Sequence, residues 1–292
     1  MTDACSLPIV RTVADLRAQL DQWRAAGQRI GMVPTLGALH AGHLSLIAHA
    51  RAHGAERVVA SVFVNPTQFA PGEDFSAYPR DEARDAALLA GAGCDLLFAP
   101  SPAVIYPPGF STTVTVAGVS APLEGQSRPT HFAGVATVVA KLLIQGRPDV
   151  AVFGEKDYQQ LQVIRRLALD LDLPTRILGA PTVRADDGLA LSSRNAYLNP
   201  IEREIAPALN VVLLKLAQAL AQGQPVAPAE AEAIETLLAA GFDQVDYIEA
   251  RHAETLERLG PGPLGDAPAR ILAAARLGKT RLIDNVGVKS TF

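Results

Sequence analysis

A chain of 292 residues, 49% hydrophobic and 19% charged, has enough apolar side chain for one large core or two modest ones, so disorder is not its default. Its formal net charge of -4 lacks the basic excess that a nucleic-acid backbone demands, although local cations remain available for one small anion. Cys5 and Cys94 are too few for a disulfide framework or a thiolate metal site, and as inert thiols they suit a reducing compartment.

The opening MTDACSLPIVRT carries Asp3 and no long apolar core, so it does not read as a secretory signal. From there, β-branched apolar runs alternate with helical patterns: a strand at 30–33, a helix at 44–52, a strand at 58–64, a helix at 81–90 and a strand at 96–99. The apolar run 135–144 is broken by Lys141 and is too short to cross a bilayer. A cytoplasmic protein without a membrane partner is therefore expected. A strand at 150–153, a helix at 158–171 and a strand at 176–178 repeat the unit, with seven prolines between Pro66 and Pro108 punctuating the connections. This alternation predicts a parallel sheet flanked by helices, whose ligands gather at the carboxyl ends of the strands. Past residue 198, Ala/Leu-rich helices at 201–222 and 227–240 and strands at 245–250, 270–276 and 280–283 predict a smaller α+β domain. Domains at 1–183 and 184–292 follow, with Ala185, Asp186, Asp187 and Gly188 as a hinge.

The most informative segment is PTLGALHAGH at 34–43, where a strand passes through a Gly-bearing turn into a helix. Such a helix start leaves backbone N–H groups directed at one spot, which suits a phosphate. His40 and His43 are expected on one face of the first helical turn, aimed at the same spot. The pattern is neither GxxxxGK[ST] nor GxGxxG, and no third ligand stands at a zinc-site spacing. Asn65 and Gln68 in VNPTQF follow a strand end, where neutral amides can orient a hydroxy acid without repelling a polyphosphate; an Asn-Pro turn by itself has an ordinary structural explanation. In GEKD (154–157), Gly154 allows close backbone approach and Lys156 supplies a point charge, with Asp157 as ligand contact or helix cap. LSSR (191–194) offers two hydroxyls and a guanidinium, a donor set able to close over a triphosphate.

HxGH alone resembles the nucleotidyltransferase superfamily. FVNPTQF, EDFSAYPR, LEGQSRPTHFAGVATVVAKLL, PDVAVFGEKDYQQLQVIR and GLALSSRNAYL follow it in the order found in the pantothenate synthetase (pantoate–β-alanine ligase) family, and this resemblance spans nearly the whole chain. It implies an α/β fold, a Rossmann-like parallel-sheet domain with a smaller C-terminal α+β lid domain. It also implies ATP-dependent condensation of pantoate with β-alanine through a pantoyl adenylate, with Mg²⁺ as companion of ATP, and a homodimer. His43 is then the proton donor, acting with His40 and Lys156. The ATP contacts implied are Leu36, Gly37, Ala38, Leu39, His40, Ala41, Gly42, His43, Gly154, Glu155, Lys156, Asp157, Val183, Leu191, Ser192, Ser193 and Arg194. Gln68, Gln160 and Asn65 are the expected contacts of pantoate and β-alanine. Asp85 aligns by its distance from YPR with a magnesium-associated carboxylate, but on an exposed helix it is expected to be merely solvated, so the metal ligands stay unassigned.

The chain departs from the family in having Leu36 and Leu191 where methionine is usual, and Ala41 where an acid is common. Leucine keeps much of methionine's volume, so these changes bear on nucleotide affinity more than on reaction type. Two rivals differ in class: an enzyme that leaves adenylate on its product, and a non-catalytic nucleotide-binding regulator.

Overall fold

The computed structural model describes residues 7–70, 72, 75, 76 and 78–288, so Cys5, and Glu73, Asp74 and Ala77 of the EDFSAYPR motif, lie outside the described residues. The chain forms two units, one of residues up to Glu155 together with Gln160–Pro181, the other of Lys156–Gln159 and residues from Thr182 onward.

In the first unit, the run Ile30–Thr35 forms strand β2, following β1 (Ile9–Val10) and α1 (Val13–Ala25). Ile30, Met32 and Val33 are fully buried, as expected of a strand covered on both faces. Then come α2 (Ala41–Ala52), β3 (Arg57–Val62), α3 (Glu82–Gly91), β4 (Leu96–Phe98), α4 (Pro102–Ile105), α5 (Glu124–Ser127), α6 (His131–Gly146), β5 (Val150–Gly154), α7 (Tyr158–Asp170) and β6 (Arg176–Ala180). All six strands are parallel, in the order β1-β4-β3-β2-β5-β6. The chain winds away from β2 on one side through β3 and β4 and resumes on the other at β5. The carboxyl ends of β2 and β5 therefore flank the place where such sheets bind ligands.

Four of these helices were not expected from periodicity, the four-residue α4 and α5 and the longer α1 and α6. α1 is capped by Thr12, whose Oγ1 accepts from the Asp15 N–H at 3.1 Å, and it buries Leu16, Leu20 and Trp23. α6 is apolar nearly all round, burying Val135, Ala136, Val138, Val139, Leu142 and Leu143 among others, so no amphipathic stripe marks it.

The second unit contains α8 (Pro200–Ile205), α9 (Ala208–Ala221), α10 (Val226–Ala239), β7 (Gln244–His252), β8 (Ala269–Leu277) and β9 (Thr280–Gly287). The strands form an antiparallel β7-β8-β9 sheet, and Gly278 at φ 57° opens the two-residue β8–β9 turn. The helix expected over 201–222 divides between α8 and α9 at Pro207, which has no N–H to continue the hydrogen-bond ladder. Pro200–Ala221 is long and apolar enough to cross a membrane by composition alone. Its Leu209, Val212, Leu213, Leu216 and Leu220 nevertheless pack in the hydrophobic core of this unit, which accounts for their apolarity.

Candidate active site

The β2–α2 loop takes a shape that ordinary side chains resist: Gly37 has φ 88° and Ala38 φ 52°. Asp85 of α3 holds it there, with Oδ2 accepting from the Ala38 N–H at 3.0 Å and Oδ1 from the Leu39 N–H at 2.9 Å. A Cβ on Gly37 would lie 3.0 Å from Asp85 Oδ2 and 3.2 Å from Val62 Cγ1, so this turn requires glycine. Thr35 Oγ1 completes the brace, donating to Ser61 O at 2.8 Å and accepting from the Gly37 N–H at 3.3 Å.

Two expectations change here. Asp85 is 1% exposed, not a solvated carboxylate on an open helix, and its oxygens satisfy the Ala38 and Leu39 amides. The N–H groups of Ala38 and Leu39, expected to face phosphate, are committed to Asp85, and the Leu39 side chain is buried in the core below the sheet.

The two histidines do not simply share a helical face. His40 is the N-cap of α2, its Nδ1 accepting from the Gly42 N–H at 3.1 Å, while His43 is the third helical residue, its Nδ1 facing the His40 N–H at 3.4 Å. This is a capping box built from imidazoles. An accepting Nδ1 leaves the proton of each neutral ring on Nε2, so both rings present a donor at that nitrogen. The rings stack loosely, with centroids 4.1 Å apart.

Beyond β3, Asn65 caps the turn Pro66–Gln68. Expected to touch substrate, Asn65 is instead fully buried and saturated: Nδ2 donates to Gln68 Oε1 at 3.1 Å and to Gly134 O at 3.2 Å, while Oδ1 accepts from Thr67 and from Tyr106 Oη at 2.7 Å. It supports Gln68 from beneath. The Gln68 carbonyl accepts from Arg128 Nη2 at 3.2 Å and from His131 Nδ1 at 2.9 Å. Gly134 allows α6 to approach this turn, since a Cβ there would lie 2.4 Å from Thr67 O. Sequence reasoning missed Tyr106, His131 and Gly134 as builders of this site: His131 and Gly134 lie within the LEGQSRPTHFAGVATVVAKLL segment without a role assigned to them, and Tyr106 lies in no quoted motif. Gly154 ends β5, Glu155 follows it, and Gln160 sits half-buried on α7.

In the second unit, Lys156 is half-buried with Nζ 3.5 Å from Asp157 Oδ1. Its carbonyl accepts from Asn285 Nδ2 on β9 at 2.9 Å, and the Asn285 amide oxygen accepts from Arg270. The Arg270 guanidinium lies 3.8 Å from the centroid of the Tyr158 ring, whose hydroxyl donates to Ala253 O at 2.9 Å. Val183 and Leu191 face each other, the Leu191 N–H donating to Val183 O at 3.0 Å, and Ser192 Oγ accepts from the Arg194 N–H at 3.3 Å as Ser193–Tyr197 begins a short 3-10 turn.

The residues expected as a hinge are a closed turn: Gly188 N–H donates to Ala185 O at 2.9 Å and Ala185 N–H to Leu189 O at 2.8 Å. Arg184 anchors that turn by a bidentate pair with buried Asp284 at 2.6 and 2.8 Å.

Among the described residues no three His, Cys, Asp or Glu side chains stand together as a metal cage. Cys94 is buried, with its thiol pushed up to about 11 by burial, consistent with an inert role.

Residues 8–287 match the family model described as pantoate-beta-alanine ligase. The pantothenate synthetase of Caulobacter vibrioides is 65% identical over 96% of this chain and 98% of its own length. The crystal structure of pantothenate synthetase from Thermus thermophilus superposes with a TM-score of 0.90 at 50% identity, covering 97% of this chain and 99% of that one. The pantoate-beta-alanine ligase of Francisella tularensis, complexed with beta-gamma ATP and beta-alanine, gives 0.79 at 35% identity over 96% and 97%. The chain belongs to the pantoate-beta-alanine ligase family.

Proposed function

We propose that the residues described above carry out the family's reaction in the following roles. The chain is an ATP-dependent ligase that joins pantoate to β-alanine, giving pantothenate, AMP and pyrophosphate through a pantoyl adenylate. A free carboxylate is a poor electrophile, and transfer of AMP onto it creates a good leaving group. The pantoate carboxylate itself attacks the α-phosphorus, so no side-chain nucleophile is needed. The protein's task is to hold two anions in line and to receive the charge that collects on departing pyrophosphate.

His43 and His40 act on the triphosphate, each through an Nε2 donor at the start of α2, with His43 as proton donor. Lys156, Ser192, Ser193 and Arg194 supply the remaining positive charge and hydroxyl donors. Leu36, Gly37, Ala41 and Gly42 line the nucleotide from the β2–α2 loop, and Gly154, Glu155 and Asp157 from the segment after β5. Val183 and Leu191 serve the adenine. Gln68 and Gln160 orient pantoate, and Gln68 also meets β-alanine, whose amine attacks the activated carbonyl to expel AMP. What supports this reading above all is the imidazole capping box at the carboxyl end of β2, which fixes two ring tautomers where a phosphate is best received.

The donor set fits a Mg²⁺ that arrives on ATP rather than a resident ion. No carboxylate cage is present among the described residues, and both Asp85 oxygens already accept amides. Such an ion neutralises phosphate charge when bound. We also place the protein in the cytoplasm, on its cysteine usage, and as a homodimer, on its family resemblance.

The deciding experiment is a coupled assay for AMP with pantoate and β-alanine omitted in turn. AMP formation requiring both acceptors is expected. A product that retains the adenylate, or ATP binding with no pyrophosphate release when pantoate is present, would overturn the reading.

A further inference from the structure

The orientation of the Gln68 amide decides what this side chain can offer a ligand, and that orientation is set from a distance. Asn65 sits between two unlike groups of neighbours. On one side three groups donate to its Oδ1, the Thr67 N–H at 3.4 Å and the hydroxyls Thr67 Oγ1 at 3.0 Å and Tyr106 Oη at 2.7 Å. On the other are acceptors, Gly134 O at 3.2 Å and Gln68 Oε1 at 3.1 Å. The Thr67 N–H can only donate and Gly134 O can only accept, so the Asn65 amide has one orientation that satisfies both sides, and the Tyr106 hydroxyl reinforces it. Its Nδ2 then claims Gln68 Oε1, which leaves Nε2 as the end of the Gln68 amide that carries no hydrogen bond among the described residues.

The strongest donor in this set comes from outside the Asn-Pro-Thr turn. Tyr106 lies 41 residues from Asn65 in sequence, its ring edge-on to Phe110 at 5.1 Å and tilted against Phe63 at 6.2 Å. Burial raises the pKa of its phenol above the ordinary value, so the hydroxyl remains a protonated donor across the neutral range. We propose that Tyr106 is a positioning residue for the acceptor acid: acting through Asn65, its hydroxyl holds the Gln68 amide with the NH₂ end presented to a substrate carboxylate. An amide N–H donates more strongly to a carboxylate oxygen than to a neutral alcohol and offers nothing to an ammonium group. The inference rests on the reading of Gln68 as a pantoate contact.

Two variants separate the inference from that reading. Gln68→Glu keeps an oxygen for Asn65 Nδ2 but replaces the outward donor with a second acceptor. It should depress kcat/KM for pantoate by at least about 10²-fold, because like groups then face each other. Tyr106→Phe keeps the ring contacts and removes one hydroxyl. It should lower kcat/KM for pantoate about five- to tenfold, the range of one buried neutral hydrogen bond, with KM for ATP within about twofold of the parent. Thr67→Val, which removes another donor to Asn65 Oδ1, should shift the same constant in the same direction and serves if Tyr106→Phe does not fold. A Gln68→Glu enzyme with normal use of pantoate overturns the Gln68 assignment and the inference with it. Impaired Gln68→Glu beside unchanged Tyr106→Phe overturns the Tyr106 role alone. So does a Tyr106→Phe enzyme that loses pantoate and ATP efficiency equally, since that marks a merely structural hydroxyl.

Discussion

Replacing Asp85 with asparagine tests whether the β2–α2 loop is held from α3. The carboxylate accepts from one part-buried and one buried N–H group, at 3.0 and 2.9 Å, and charge-assisted bonds of this kind contribute about 1.5–3 kcal/mol each. Against them stands the left-handed backbone of Ala38 at φ 52°, which costs about 1–2 kcal/mol. Asparagine keeps one acceptor oxygen and turns an NH₂ toward the second N–H, so one bond is lost and a donor–donor contact takes its place. A net loss of about 3 kcal/mol follows, on the order of 10² in any step that needs the loop in place. In calorimetry this corresponds to about 6–12 °C in Tm for a unit of this size, and in steady-state assays to a comparable fall in kcat/KM for ATP. A variant that melts within a degree of the parent and uses ATP normally would refute the brace.

Other expected outcomes follow from the same geometry. His43→Ala and Lys156→Ala should each lower turnover by about 10²-fold or more without loss of folding, as for electrostatic donors at other active sites; near-normal rates in both folded variants would remove these residues from the mechanism. Gly134→Ala places a methyl 2.4 Å from Thr67 O, so circular dichroism and melting should show a destabilised or displaced 65–68 turn with pantoate use impaired; a parent-like variant would contradict that packing. Because burial lifts the Cys94 thiol from 9.0 to about 11, its contribution to stability is complete below the unfolded value and is lost as pH rises toward 11. Denaturant titrations of the parent and Cys94→Ala should therefore converge between pH 9 and 11, and a constant gap across that range would argue against the shift.

The parallel sheet was readable because β2, β3 and β5 are short, continuous apolar runs bounded by turn residues, which is how a doubly covered strand looks in sequence. α6 escaped the same reading because burial on most of its circumference erases the period that identifies a helix. HxGH showed where a phosphate site would begin, but not what holds it. Asp85 stands 47 residues from Ala38 and 46 from Leu39, and Tyr106 stands 41 from Asn65; a single carboxylate or phenol at such separation has no local pattern to betray its partner. The order of the turn at 185–188 was hidden for a related reason. Asp186, Asp187 and Gly188 have the composition of a flexible linker, while the Arg184–Asp284 pair that pins their turn spans 100 residues.

The short stretch Lys156–Gln159 groups with residues from Thr182 onward although the chain on either side of it does not. Its supports, Asn285 for the Lys156 carbonyl, Arg270 and Ala253 for Tyr158, all lie about a hundred residues further along the chain. Cutting the polypeptide once between Pro181 and Thr182 would thus not liberate two exchangeable modules. A chimera that borrows residues 182–292 from a relative inherits the bed on which this lysine rests, so the tetrapeptide and its distant bed have to be transplanted as a matched set.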